Sequence, residues 1–243
     1  MPDDVGARVA ALRDAVAAAA KRVGRDPGAV RIVAVAKTVG AGAVASALQA
    51  GLRDVGENYV QEARAKRAAV AAEAVWHLIG RLQRNKVRAA VVLFDRVHTV
   101  DSAALGATLA AEVERAGRRL PVLIQVNVAG ETGKAGVPPE AVEALARELL
   151  SRPPLALDGL MLIPPAPGVP EDSRRHFRAL REVRDSAQKA LGVELPHLSM
   201  GMSADFPVAV EEGATLLRLG RALFGDRGRG ASRPGSSVGG EGS

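Results

Sequence analysis

A lysine stands at the end of an apolar run, Arg31-Ile-Val-Ala-Val-Ala-Lys37-Thr38. The run is β-branched and uncharged until its last positions, so it reads as a buried strand. A charged ammonium at its end is costly to desolvate, which favours the neutral amine. A neutral amine condenses with an aldehyde to a Schiff base. The chain has six lysines against 27 arginines, and the other five lysines stand in helical or loop-like polar surroundings. Two later segments offer a different chemistry. Ser199-Met200-Gly201-Met202-Ser203 and Gly220-Arg221-Ala-Leu-Phe-Gly225 each follow an apolar run and lead into a helical stretch. Glycine lets the backbone approach a ligand, N–H groups at a helix start point at an anion, and Ser199 or Ser203 can add a hydroxyl.

These residues need elements that bring them together. Apolar runs at Val30–Ala36, Asp54–Gly56, Val75–Ile79, Leu93–Val97, Val122–Val126, Leu157–Leu162, Pro196–Leu198 and Thr215–Leu219 read as strands. Between them lie helical patterns near 41–50, 58–73, 83–90, 102–116, 139–150, 171–190 and 204–211, and a further helix covers about 4–23. Eight strands alternating with helices predict an α/β fold, a single (β/α)₈ barrel of TIM type with an extra N-terminal helix. A doubly wound open sheet uses the same alternation. Residues 1–225 form the expected barrel, and 226–243 form a Gly/Ser/Arg tail of disorder-prone composition. In a barrel the carboxyl ends of the strands form the working face, with phosphate bound after strands seven and eight. The strand bodies read as apolar, with polar and small residues gathered at those ends. A Schiff-base lysine after strand one and a phosphate cup after strands seven and eight fit a phosphorylated aldehyde, and pyridoxal 5'-phosphate (PLP) is the cofactor of that shape.

Composition narrows the alternatives. The 243 residues are 47% hydrophobic and 25% charged, with no cysteine, so disulfides, thiolate metal sites and a cysteine nucleophile are excluded. The early acids of Met-Pro-Asp-Asp-Val5 and the absence of a long uncharged apolar run predict a cytoplasmic protein without a membrane span. Net charge is +6, yet the excess is arginine spread beside acids, and aromatics are 2%, too few for stacking on single strands. Nucleic acid is therefore not the expected partner. Four histidines without a metal-binding motif predict no metal site. No extra apolar surface demands a dimer, so a monomer is expected.

With these features in place the chain closely resembles the pyridoxal phosphate homeostasis protein family over residues 5–225. The matching stretches are Val35-Ala-Lys37-Thr38, Gly56-Glu-Asn-Tyr-Val-Gln-Glu62, Trp76-His-Leu-Ile-Gly-Arg-Leu-Gln-Arg-Asn-Lys86 and His98-Thr-Val-Asp101. They continue with Gln125-Val-Asn-Val128, Glu131-Thr-Gly-Lys-Ala-Gly136, Gly159-Leu-Met161, Leu198-Ser-Met-Gly-Met-Ser203 and Arg218-Leu-Gly-Arg-Ala-Leu-Phe-Gly225. The resemblance implies a barrel like that of alanine racemase, PLP held on Lys37, and a role in handling and buffering the cofactor for PLP-dependent apo-enzymes, without established turnover. The family usually carries Ser before the lysine and a basic residue then Pro after the threonine. Here Ala36 and Val39-Gly40 stand in those places.

Resemblance to the racemase barrel also implies that Arg218 faces the pyridine nitrogen. A guanidinium keeps its proton at ordinary pH, leaving the ring a poor electron sink; a structural ion pair is the alternative role. Asn58 can bond the ring hydroxyl or cap the following helix. His77 can face the ring or be a satisfied core histidine. Met161, Met200 and Met202 can pack on the cofactor or fill gaps. Racemisation on the same barrel is the rival activity. It needs an opposite-face base, which the racemases take from an additional C-terminal β-domain, and the single tyrosine here is Tyr59.

Overall fold

Buried β-branched runs alternate along the chain with helices, the arrangement that parallel strands require for their crossovers. The computed structural model describes residues 5–225. Helix α1 (Val5–Arg22) precedes strand β1 (Arg31–Val35). Next come α2 (Ala41–Gln49), β2 (Asp54–Glu57), α3 (Val60–Ala69), β3 (Val75–Leu78), α4 (Val87–Leu93) and β4 (Arg96–Val100). The second half adds α5 (Ala103–Arg115), β5 (Leu120–Gln125), α6 (Val142–Leu150), β6 (Leu155–Met161) and α7 (Arg174–Leu191). It ends with β7 (His197–Ser199), α8 (Phe206–Glu211), β8 (Leu216–Leu219) and α9 (Arg221–Phe224). All strands are parallel, and β1 pairs with both β2 and β8, so the sheet closes into the expected eight-stranded barrel.

The core has two compartments. Between strands and helices, Phe94, Leu109, Leu149, Phe177 and Leu180 are fully buried within one continuous apolar layer. Inside the barrel, Val33, Leu123, Met161 and Leu216 make a small separate cluster. Helix α1 joins the outer ring against α2, α8 and α9, burying Val9, Val16, Ala19 and Ala20. It fills the space left by the short α8. Arg25, just beyond α1, donates to the Val210 and Ala214 carbonyls at the end of α8. Among the described residues no helix is long and apolar enough to cross a membrane.

Two expectations are corrected. Strand β4 runs over Arg96–Val100 rather than Leu93–Val97, because Val91–Leu93 extend α4, whose last turn closes with Phe94 N–H on the Ala90 carbonyl at 2.9 Å. An apolar β-branched run does not by itself separate buried helix from strand. His98 and Thr99 consequently lie within the strand rather than beyond it. The strand bodies are also not uniformly apolar: Asp54, His77, His98 and Arg218 are all buried within strands. The predicted tail, residues 226–243, lies outside the described residues.

Candidate functional site

The carboxyl ends of the strands surround a cavity of about 710 Å³. Lys37, Asn58, Ser203, Arg218, Gly220 and Arg221 line it, so the lysine after β1 and the loops after β7 and β8 meet in one space. Gly80 also belongs to the wall, where a Cβ would collide with the Asn58 carbonyl. His77, Met161, Ser199 and Met200 are fully buried and lie outside that lining. Met161 belongs to the apolar cluster inside the barrel, and Met200 to the outer layer. The Ser199 hydroxyl is engaged within the barrel by His98 and Arg218, leaving Ser203 as the serine at the cavity.

Lys37 is exposed, which corrects the expectation of a desolvated amine. Its backbone is tightly held. Ala36 donates to the Gly56 carbonyl at 2.9 Å and Val39 donates back to Ala36 at 2.9 Å. Thr38 has φ of 63°, left-handed for a β-branched residue, a conformation that costs about 1 kcal/mol. The sequence gives no sign of what secures this turn. Lys66 of α3 donates to the Ala36 carbonyl at 2.6 Å, to Glu57 Oε1 at 2.5 Å and to Glu62 Oε2 at 3.2 Å. Glu62 Oε2 also accepts the Thr38 N–H at 3.2 Å. Glu57 is buried, and its second oxygen accepts the Asn58 N–H at 3.3 Å. Burial raises the Glu57 carboxyl above its ordinary value, partly offset by Lys66.

On the far side of the cavity, Ser203 Oγ accepts the Ala222 N–H at 3.0 Å, tying the β7 loop to the start of α9. Asp205 braces the same loop by accepting from the Met202 N–H at 2.7 Å and the Ser173 hydroxyl at 2.8 Å. The N–H groups of Ser203 and Ala204 have no acceptor among the described residues. They are donors without a partner at the edge of the cavity, beside Arg221.

Beneath the cavity a chain of polar side chains runs through the barrel. Arg218, 4% exposed, donates to Ser199 Oγ and to the Leu162 carbonyl, both at 2.7 Å. Ser199 Oγ lies 2.9 Å from His98 Nδ1, His98 Nε2 lies 2.8 Å from His77 Nδ1, and His77 Nε2 lies 2.8 Å from Asp54 Oδ1. Burial pushes the His77 imidazole down, partly opposed by Asp54, and pushes His98 well down, aided by the charges of His77 and Arg218. Both rings are therefore neutral at pH 7, and the acceptor-only Asp54 carboxylate at one end with the donor-only Arg218 guanidinium at the other assigns their tautomers. Each histidine carries its proton on Nε2, and every donor points away from Arg218 towards the Asp54 carboxylate. Burial also pushes the Asp54 carboxyl up, but hydrogen bonding and charge from His77, with Arg31, bring it below its ordinary value. Burial lowers Arg218 to about 10, against the opposing pull of Asp205, so it remains a cation at pH 7. Sequence reasoning found Arg218, His77 and Ser199 but not their linkage, since residues 54, 77, 98, 199 and 218 converge only once the barrel closes.

The profile of the alanine racemase N-terminal domain matches residues 8–228. A pyridoxal phosphate homeostasis protein of Aquifex aeolicus is 41% identical over 221 residues, covering 90% of this chain and 97% of that protein. That of Pseudomonas aeruginosa is 42% identical over 228 residues, covering 93% and 97%. The chain belongs to the pyridoxal phosphate homeostasis protein family. A solved member, PipY of Synechococcus elongatus PCC7942 with PLP bound, superposes with a TM-score of 0.81 at 37% identity, covering 91% of this chain and 100% of PipY. An alanine racemase of Clostridium difficile, 14% identical with a TM-score of 0.70, shares the fold.

Proposed function

We propose that this member of the family binds PLP reversibly, covalently through the Lys37 amine as a Schiff base, and buffers or passes on the cofactor without turnover of its own. The observation that carries the reading is the shared cavity: an exposed primary amine on one wall, and Ser203, Gly220 and Arg221 on another, beside the unpartnered N–H groups of Ser203 and Ala204. That donor set fits a phosphorylated aldehyde. Lys37 would hold the aldehyde carbon, Ser203, the adjoining N–H groups and Arg221 the phosphate, and Arg218 the ring nitrogen, with Asn58 at the ring edge. The cofactor supplies an electrophilic carbonyl and a conjugated ring. Arg218 keeps its proton at neutral pH and offers hydrogen bonds without transferring a proton. Ser199, His98 and His77 orient that guanidinium from below. PLP-dependent apo-enzymes are the partners this reading implies.

The racemase reading is weaker. Tyr59 is 60% exposed, outside the cavity lining, and its hydroxyl has no hydrogen bond among the described residues. Borohydride treatment of PLP-loaded protein followed by peptide mapping tests the proposal. The adduct is expected on Lys37; an adduct on Lys66, Lys86 or Lys134 overturns the assignment. Sustained interconversion of L- and D-alanine, lost in Lys37→Ala and Tyr59→Phe, would make the protein an enzyme.

A further inference from the structure

Lys37 is flanked by two peptide groups, and both are gripped by the same face of α3. Glu62 and Lys66 are four residues apart, hence neighbours on one side of the helix. Lys66 takes the Ala36 carbonyl, Glu62 takes the Thr38 N–H, and the two join each other at 3.2 Å. The chain from Ala36 to Thr38 thereby completes a closed ring with Lys37 in the middle. All three N–H donors of the Lys66 ammonium are engaged, one by the buried Glu57. Glu57 extends the ring to Asn58, on the cavity wall.

Stability alone does not account for this arrangement. A buried ion pair contributes little or nothing relative to well-packed apolar side chains of the same size. The groups that the pair grips belong to the two neighbours of the attachment lysine. The turn also lacks a proline, and Gly40 stands at its exit, so its local stiffening is limited to the Val39 N–H on the Ala36 carbonyl and the Thr38 hydroxyl on the Lys37 carbonyl. Thr38 is held left-handed without being glycine, which requires an outside restraint.

We propose that Glu62 and Lys66 are positioning residues that lock the Lys37 turn, keep its amine aimed into the cavity and set how fast the cofactor is released. The proposal rests on Lys37 as the attachment point and adds a control on its retention. Glu62 gives the cleanest test, because its side chain is 34% exposed and its removal leaves the Lys66–Glu57 pair intact.

The experiment uses the full chain. In cofactor-free protein, amide hydrogen exchange is followed at Thr38; in PLP-loaded protein, release is followed by the loss of lysine-bound absorbance after rapid dilution. Glu62→Ala is expected to speed both by about tenfold, the effect of losing one hydrogen bond to a charged group, with the melting temperature nearly unchanged. Glu62→Gln, which keeps an oxygen for Thr38, is expected to fall between Ala and the parent. Lys66→Met is expected to exceed Glu62→Ala in both measurements, but it strands the Glu57 charge, so Glu62→Ala decides the matter. Parental exchange and parental release in Glu62→Ala would overturn the lock. A borohydride adduct away from Lys37 in the parent chain would instead overturn the attachment reading, and the exchange rate at Thr38 would still judge the lock.

Discussion

Among single residues, the proposed reading has Lys37 and Ser203 divide the cofactor between them, and that division is measurable. Lys37→Ala should abolish borohydride fixation of PLP, while weaker binding should persist because the proposed phosphate contacts across the cavity do not involve the lysine. Ser203→Ala should weaken PLP by about tenfold, the cost of one hydrogen bond to a charged group, and leave pyridoxal without phosphate unaffected. Titration of both compounds against both variants checks the pair. An equal loss for PLP and pyridoxal in Ser203→Ala would detach that serine from the phosphate. Lys37 was legible in the sequence because a charge ending an apolar strand is unusual. Its surroundings were not legible: Lys66 and Glu62 look like an ordinary exposed i, i+4 pair until β1 and α3 are brought side by side.

Among the elements, the strands do two jobs that a linear pattern does not separate. Their outward residues pack on helices, and that apolar periodicity was enough to give eight strands, seven of them within two residues of their observed bounds at each end. Their inward residues include Asp54, His77, His98 and Arg218. In sequence these look like isolated polar interruptions. The short β7 places Ser199 between the histidines and the arginine, so three strands depend on one hydroxyl. Replacing His98 with Leu should therefore act on β3, β4 and β7 together. It strips the Ser199 hydroxyl and the His77 ring of a partner inside the barrel, an expected loss of about 3 kcal/mol for two stranded polar groups. Urea unfolding measures it. A loss below about 1 kcal/mol, the lower end for one unsatisfied group, would mean that the chain contributes nothing as a connected unit.

The whole molecule spreads its basic excess through the fold. Arg22 of α1 and Arg174 of α7 share Glu211, and Arg174, Arg178 and Arg181 converge on Glu212, so three outer helices are joined by charge rather than left as an open cationic face. The four histidines behave alike as well. His77, His98, His176 and His197 are all held below the ordinary imidazole value, burial being the largest cause in each, and His197 falls to about 4. In the unfolded chain the same rings titrate near 6.5. Below that pH the unfolded state binds protons that the folded state refuses, so stability falls as pH drops. His77, His98 and His197 each add to the proton excess of the unfolded chain, so the decline steepens as pH falls below 6.5. Asp54, with its lowered carboxyl, contributes stability that is lost as pH falls further, through its folded value. Glu57 works the other way, since its raised carboxyl takes up a proton more readily folded than unfolded. The expected result is a urea midpoint that declines between pH 6.5 and 5, before ordinary carboxylates titrate. His98→Leu should be less stable at pH 7 yet show a shallower decline, having one fewer buried ring to protonate. A midpoint independent of pH across that window would mean that the buried histidines accept protons in place, and the fixed tautomers that orient Arg218 would fall with them.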